Sequence, residues 1–347
     1  MLPPVRRRRI HTHMEEATVR IGVYGAGQMG AAHVRHFSAV PGTTVVGVAD
    51  ADEQRARSAA AAIGATPCPD LDTLLELRPD AVVIVVPNIH HAAASIAALE
   101  RGVDVFCEKP MATTVEDARR VLRTVERTGC LYQLGFNRRF APVYIGVREL
   151  LTGGVGVFSG TMKMNDGDMR TPAWFSDPKI SGGFMYDTAI HLLDLGRWLL
   201  GPVQEVRCLA RSSCYPDQDD AVMLLRFTSG ALVAFSTCGH ATWTAPLERV
   251  EFFGDHAAIV TEGFERLTYT PARDQPAVTR DFSAFPVPER LGYAQEVRVF
   301  IEAMGRGQAG GPTAEDALRA VEFVAACYRS AATDGAPVRL VPYQLDR

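Results

Sequence analysis

The sequence predicts an α/β chain of two domains, an N-terminal doubly wound parallel sheet followed by a C-terminal α+β domain with a large, mostly antiparallel open sheet. Three observations carry this reading. Strand and helix patterns alternate through the first third of the chain. A glycine-rich turn, Gly25-Ala26-Gly27-Gln28-Met29-Gly30, stands between the first strand pattern and the first helix. From about Val206 to Thr270, short apolar runs separated by turn pairs such as Ser229-Gly230 and Gly254-Asp255 replace that alternation. At 347 residues the chain is long enough for two domains with a substantial core.

Taken in order, Val19, Ile21 and Val23 alternate as a short buried strand does, and the glycine turn leads into a helix. Thr44 to Ala49 is a second apolar run that ends at Asp50. An alanine-rich helical stretch follows, then Thr66-Pro67-Cys68-Pro69 and a short helix around Leu71 to Leu77. Ala81 to Val86 is nearly all apolar, as expected of a parallel strand covered on both faces. Pro87 and Asn88 end it, and a helix from about Ile89 to Arg101 leads to the strand Val103 to Cys107. The spacing then predicts a helix over Val115 to Thr128 stopping at Gly129, and a strand from Leu131 to Gly135. After about Phe140 come a helix with Val143, Val147, Leu150 and Leu151, a strand from about Val155 to Met164, and a loop rich in Asp, Gly and Pro. Further strands are expected at Val222 to Phe227, Leu232 to Thr237, Val250 to Phe253 and Ala257 to Val260. Two amphipathic helices close the pattern, about Arg290 to Met304 and Ala314 to Ser330.

The glycine turn has a mechanical meaning. Gly25 lets the chain turn tightly, Gly27 lets the backbone approach a pyrophosphate, and Gly30 lets the helix pack close to its strand, while the helix N-terminus offers an anion site. Asp50 lies twenty residues beyond Gly30, where a carboxylate bonds the adenine ribose hydroxyls and repels a 2′-phosphate. This favours NAD over NADP, with Arg55 and Arg57 further on leaving room for the phosphorylated form. Ligands of such sheets bind beyond the carboxyl ends of the strands, and Asn88 and Lys109 both fall there.

Glu108-Lys109-Pro110 follows the strand ending at Cys107. A lysine at the rim of a nicotinamide cleft can donate to an oxygen that gains negative charge, or relay its proton, as hydride leaves a secondary alcohol. Pro110 fixes the turn that carries it. The bland reading is a solvated lysine paired with Glu108. About eighty residues on, Ser181-Gly182-Gly183 precedes Asp187, His191 and Asp194 at helical spacing. Asp187 and His191 are four apart and share a helical face. His191 suits proton transfer near neutrality, and Asp187 either orients it or contacts substrate hydroxyls. Asp194 lies on a neighbouring face in a structural role, and Leu192, Leu193, Leu195, Trp198 and Leu199 form the anchoring stripe. The bland alternative is a surface ion pair. His33 and His36 on the first helix read as structural, and His91 either touches the cofactor side of the cleft or caps its helix. His240 with Trp243, and Trp174 with Phe175, either line a pocket or belong to the core or an interface.

A net charge of −4 implies neither nucleic acid nor an acidic membrane as partner. The seven cysteines show no C-x-x-C pair and no Cys/His cluster with zinc spacing, so no metal is expected and a cytoplasmic, reducing setting is. No apolar stretch approaches the length of a membrane span. The basic run Arg6 to Arg9 is followed by His11, His13, Glu15 and Glu16 rather than an apolar segment, so residues 1–17 read as a disordered tail.

With these residues on the page, the chain resembles the glucose–fructose oxidoreductase/inositol dehydrogenase (Gfo/Idh/MocA) family from about Val19 to Leu340. The resemblance rests on the Gly25–Gly30 turn, Pro87-Asn88-Ile89-His90-His91, Glu108-Lys109-Pro110, Gly135-Phe136-Asn137-Arg138-Arg139-Phe140, and Ser181-Gly182-Gly183 through Asp187 to His191; the last spacing resembles the inositol dehydrogenase branch. It implies a Rossmann domain over 18–138 that binds NAD through Gly25, Ala26, Gly27, Gln28, Met29, Gly30, Asp50, Pro87, Asn88, His91, Glu108 and Lys109. It implies a substrate-binding and oligomerisation domain over 139–347 and a homodimer or homotetramer. The catalytic set it implies is Lys109, Asp187 and His191, with His191 as proton acceptor and Arg138, Asn165 and Tyr293 contacting a polyol or sugar ring. Ala141 and Leu192 depart from the family pattern, Ala141 standing where an acid often follows the Arg-Arg-aromatic run and Leu192 replacing an acid that some inositol dehydrogenases carry after the histidine. The expected activity is an NAD-dependent dehydrogenase acting on a ring secondary alcohol. The alternatives are a sugar-nucleotide ketoreductase or dehydrogenase using NADP, a non-catalytic NAD-binding regulator, and redox-assisted hydrolysis or elimination on a retained cofactor.

Overall fold

A computed structural model describes residues 18–244 and 246–340; the basic run Arg6 to Arg9 and the tail that contains it lie outside them. The chain divides into two compact units, one running to Gly135 and joined by Ala294–Leu318, the other comprising Phe136–Tyr293 and the chain from Arg319 onward.

The first unit is built on six parallel strands: β1 (Val19–Tyr24), β2 (Thr43–Ala49), β3 (Thr66–Cys68), β4 (Ala81–Ile84), β5 (Asp104–Cys107) and β6 (Tyr132–Leu134), in the spatial order β3-β2-β1-β4-β5-β6. The order reverses between β1 and β4, and ligands of such sheets settle beyond the strand ends at that reversal. Every residue of β4 is buried, as its unbroken apolar run requires. Phe37 of the first helix, Phe106 of β5 and Phe300 of the helix Tyr293–Arg306 meet edge to face in the core. The helix Val115–Thr128 begins at Thr114, whose hydroxyl accepts the Asp117 N–H, and ends at Gly129 in the left-handed conformation. The sequence reading had no strand at Thr66–Cys68. Pro67 lacks a ladder donor, and β3 tolerates it because it lies at the sheet edge.

The second unit carries a nine-stranded sheet formed by β7 (Ser159–Asn165), β8 (Val203–Arg211), β9 (Asp220–Phe227), β10 (Leu232–Cys238), β11 (Glu248–Phe253), β12 (Ala258–Glu262), β13 (Arg266–Thr270), β14 (Val278–Asp281) and β15 (Val338–Arg339). Its order is β14-β13-β12-β11-β7-β10-β9-β8-β15, and every pairing is antiparallel except β7 with β10. The strict alternation along β9 buries Ala221, Met223, Leu225 and Phe227 and turns Val222 and Leu224 outward.

Two expectations shift, and one strand was unforeseen. The strand expected from Val155 starts only at Ser159, because the preceding helix closes through the Val155 N–H to Leu150 O bond in a Gly-rich stretch. The helix expected from Arg290 to Met304 is broken: a short turn, Val287–Arg290, is followed by Tyr293–Arg306, with Gly292 between them at φ +88° against the Asn137 carbonyl. β14 had no signal because all four of its residues are exposed, so no alternation of burial marks it. Among the described residues no helix is long and apolar enough to cross a membrane.

Candidate functional site

In the first unit, four of the predicted segments leave consecutive or neighbouring parallel strands at their carboxyl ends and therefore share one rim: Gly25 after β1, Asp50 after β2, Pro87 and Asn88 after β4, Lys109 after β5. Gly25 sits at φ +107°, and a Cβ there would run into the Val85 carbonyl. Gly30 lies so close to the Gly25 carbonyl that no side chain fits between helix and strand. Gly27 differs: it caps the helix Gln28–Ser38, and a Cβ on it would meet no protein atom within 4 Å. The protein leaves open space at Gly27, as a cradle for a pyrophosphate at the helix N-terminus would. Gln28 is exposed and Met29 half-buried in the first helical turn. The Asp50 carboxylate accepts the Ala26 N–H at 2.7 Å and the Asp52 N–H at 2.8 Å, so it holds the glycine turn itself. Arg55 is paired with Asp52 at 2.9 Å and Arg57 with Glu53 at 2.5 Å.

The lysine turn is held by two histidines. His33 donates from Nε2 to Glu108 Oε1 at 2.7 Å, and Glu108 Oε2 accepts the Lys109 N–H at 3.1 Å. Burial raises the Glu108 carboxyl, but the hydrogen bond and charge of His33 and the charge and N–H of Lys109 outweigh it and hold it below the usual carboxylate range. His91 is buried with Nδ1 2.6 Å from Pro110 O and Nε2 2.7 Å from Val86 O. Burial pushes its pKa down, against those two carbonyls. Both ring nitrogens thus face main-chain carbonyls, to one of which the neutral ring donates, and His91 lies between the turn after β4 and the turn after β5. Glu108 likewise faces inward, its carboxylate spent on His33 and the Lys109 backbone, while the Lys109 side chain is half-buried. Asn88 is buried at the head of a short helical turn, behind the half-buried Pro87.

In the second unit, the segment with Asp187 is not an ordinary α-helix. Met185–Ala189 is a π-helical turn that runs into the α-helix Ile190–Leu200. Such turns concentrate at functional sites. Asp187 and His191 are 4 % and 8 % exposed, and Phe136 packs edge-on to the His191 ring. The start of the turn is held from afar: the Met185 N–H donates to the Tyr328 hydroxyl at 3.1 Å and the Phe184 N–H to the Asp217 carboxylate. A Cβ on Gly183 would strike the Tyr328 hydroxyl, so this glycine answers to Tyr328. Asp194 is structural as expected. Arg139 grips it with two bonds, at 2.8 and 2.6 Å, and Arg197 lies 3.7 Å away. Leu192 and Ala141 are fully buried.

The residues expected to meet a polyol are held in place by protein partners. Arg138 is paired through Nη2 with Glu248 at 3.2 Å, bonds Asn137 at 3.1 Å and lies over the Phe264 ring. Burial holds the Glu248 carboxyl above its usual range despite that arginine. Tyr293 begins its helix and interacts electrostatically with Arg138. Asn165, the last residue of β7, accepts the Cys238 N–H at 3.1 Å. Sequence reasoning missed its neighbour Asp166. This carboxyl is raised mainly by burial, and further by the charge of Asp187, and it lies 3.4 Å from the Thr188 hydroxyl. Its proximity to Asp187 is a tertiary fact with no trace in sequence spacing. Trp243 is exposed, its indole lying over the Gly167 backbone, and Trp174 meets Phe175 edge to face.

The fold also gathers groups that sequence spacing hides. Cys214, Asp219 and His240, and likewise Asp220, Cys238 and His240, present ligand-type atoms within 4.8 Å of one another. Asp220 pairs with His240 at 3.2 Å, and the Asp219 carboxylate accepts the Ser213 and Cys214 N–H groups. All seven cysteines are free thiols.

Two family models match the chain, an oxidoreductase family with an NAD-binding Rossmann fold over residues 19–136 and its C-terminal alpha/beta domain over residues 150–340. The chain belongs to the Gfo/Idh/MocA oxidoreductase family. A curated relative, inositol 2-dehydrogenase 2 of Saccharopolyspora erythraea, is 34 % identical over 94 % of this chain and 97 % of its own length. The crystal structure of a myo-inositol dehydrogenase from Corynebacterium glutamicum matches with a TM-score of 0.79 at 26 % identity, covering 94 % of this chain and all of that one. Levoglucosan dehydrogenase in complex with NADH and levoglucosan superposes with a TM-score of 0.87 at 22 % identity, over 93 % of this chain and 99 % of its own, a likeness of fold alone. The Gfo/Idh/MocA chain described here is thus an oxidoreductase with an NAD-binding Rossmann domain and a C-terminal domain with a mostly antiparallel sheet.

Proposed function

We propose that this protein is an NAD-dependent dehydrogenase that moves a hydride between the nicotinamide and a ring secondary alcohol or ketone of a cyclitol or sugar. The observation that carries the reading is the burial of an acid and an imidazole, Asp187 and His191, four residues apart on a helical segment anchored by Tyr328 and Asp217. Polar groups taken out of water at such cost need a use, and proton transfer to an imidazole is one that operates near neutrality. The inositol dehydrogenases among its relatives support the substrate class.

Bound NAD would supply the hydride acceptor. His191 takes the proton of the reacting hydroxyl, Asp187 orients the imidazole or the substrate, and Lys109 donates to the oxygen as charge develops on it. Arg138 and Tyr293 provide donors toward ring hydroxyls, and Asn165, with its carbonyl oxygen bonded to the Cys238 N–H, adds an amide donor. Asp50 at the end of β2, with Arg55 and Arg57 each paired to an acid one helical turn or less away, favours NAD over NADP.

The test is reduction of NAD by the purified protein across a panel of inositols, amino-cyclitols and free sugars, beside Lys109→Met. Turnover of one of them, falling about 10²- to 10⁴-fold in Lys109→Met while NAD still binds, is expected. A silent panel with NAD bound would sink the cyclitol or sugar reading.

The same proposal includes self-association as a dimer or tetramer. Leu209 and Val222, cross-strand partners on β8 and β9, and Leu224 beside them are 57 to 59 % exposed on one sheet face. Light scattering that returned a monomer would end it. The seven free thiols favour a reducing, cytoplasmic setting, which cell fractionation checks.

A further inference from the structure

We propose that His33 is a positioning residue for Lys109, acting through the buried carboxylate of Glu108 and thereby tying the lysine turn to the helix that caps the dinucleotide cradle. The inference rests on the reading of Lys109 as a catalytic residue.

His33 lies on the helix Gln28–Ser38, the same helix whose N-terminus is capped by Gly27. Its ring is fully buried and packs at 5.3 Å from Phe106 and 6.2 Å from Phe37, ring centre to ring centre, so it has one orientation. From there Nε2 donates to Glu108 Oε1 at 2.7 Å, and Glu108 Oε2 accepts the Lys109 N–H at 3.1 Å. The Gly135 backbone packs beside that carboxylate, so close that a Cβ there would stand 3.3 Å from it. On the far side of the lysine, the buried His91 ring lies against the Pro110 carbonyl, Nδ1 to O 2.6 Å. Lys109 therefore sits between two fixed residues, and the fix on its N-terminal side leads to the first helix.

Stability alone does not explain this arrangement. Glu296, fully buried, brings a second carboxylate oxygen within 4.8 Å of the His33 and Glu108 ligand atoms. Two acids and an imidazole withdrawn from water are an expensive way to fill a core, and well-packed apolar side chains of similar volume commonly serve stability as well or better. What an apolar pair cannot supply is a directional bond to the Lys109 backbone. Misplacing a reacting group by about 1 Å can cost on the order of 10²-fold in rate, so a device that fixes the distance between cradle and lysine has a direct kinetic return.

The variants are His33→Leu, which removes the donor, and His33→Gln, which keeps a nitrogen of similar reach. Exchange of the Lys109 amide hydrogen is read first, because it needs no substrate. It is expected to accelerate in His33→Leu and return toward the native rate in His33→Gln; unchanged exchange in His33→Leu overturns the proposal. NAD reduction with myo-inositol as probe is then measured in both variants, alone and combined with Lys109→Met. A fall in kcat of roughly 10- to 100-fold in His33→Leu, with NAD affinity unchanged, rescue by His33→Gln and no further loss in the Lys109→Met background, is the expected result. An equal fall in both backgrounds would show that His33 acts elsewhere while the lysine reading stands. Full activity of Lys109→Met would remove both. Where His33→Leu fails to fold, His33→Asn, too short to reach Glu108, replaces it against His33→Gln with the same outcomes.

Discussion

In the first unit the candidate site residues stand on main-chain turns at the ends of neighbouring parallel strands, whereas in the second Asp187 and His191 stand on a helical turn held by side chains from far along the chain. Gly25 and Asp50 follow a strand directly, Lys109 and Asn88 within two and four residues, and the sheet order brings them to one rim. The second unit needs Asp217, Tyr328, Arg139 and Glu248 to seat a handful of polar groups. A rim made by strand ends keeps its placement through most side-chain changes, the contacts of Asp50 with the glycine turn and of His33 and Glu108 with the lysine turn apart. A site made by side-chain pairing fails when one partner goes. The two units should therefore respond differently to substitution.

The largest effect is expected where the second unit depends on a buried pair. Arg139→Met leaves Asp194, 1 % exposed, with only the more distant Arg197, and should lower unfolding free energy by about 3 kcal/mol, the low end for a broken buried pair. Chemical denaturation measures it. Replacing Asp194 by Leu as well should recover much of that loss, and a double variant no better than the single one would contradict the pairing argument. A smaller effect separates two glycines of one turn. Gly25→Ala should cost about 1–3 kcal/mol, because φ is +107° and the Val85 carbonyl is in the way. Gly27→Ala, at φ −68° and in open space, should melt like the parent yet bind NAD roughly tenfold more weakly. If both melt normally, the backbone argument for this rim is wrong. The smallest effect sharpens the role of Asp50. Asp50→Ser should weaken NAD by about tenfold and leave NADP binding no worse. An equal loss for both nucleotides would confine Asp50 to holding the Ala26 N–H.

The same contrast governs what could be read without a structure. The parallel sheet was legible because β4 is an unbroken apolar run and the glycine turn fixes backbone geometry within six residues. β3 and β14 were not, since a strand of three residues containing proline and one of four exposed residues carry no periodic signal. The break at Gly292 was hidden because apolar spacing continues across it, and only the nearby Asn137 carbonyl shows why a glycine with φ +88° stands there.

For the site, local sequence determined the conformation of the glycine turn, the placement of Lys109 just past a strand end and the placement of Asp187 and His191 four residues apart on one helical segment. These follow from bonds and rotations among residues close along the chain. Only the tertiary structure decided that Asp187 sits in a π-helical turn, that Asp166 faces it, that Gly183 makes room for Tyr328, and that His33 reaches the lysine turn through Glu108. Those partners are separated by up to 145 positions (328 − 183), and no local propensity encodes a distance of that kind. It is set by how whole elements pack, where the burial of a charge leaves one acceptable neighbour and the fold must supply it.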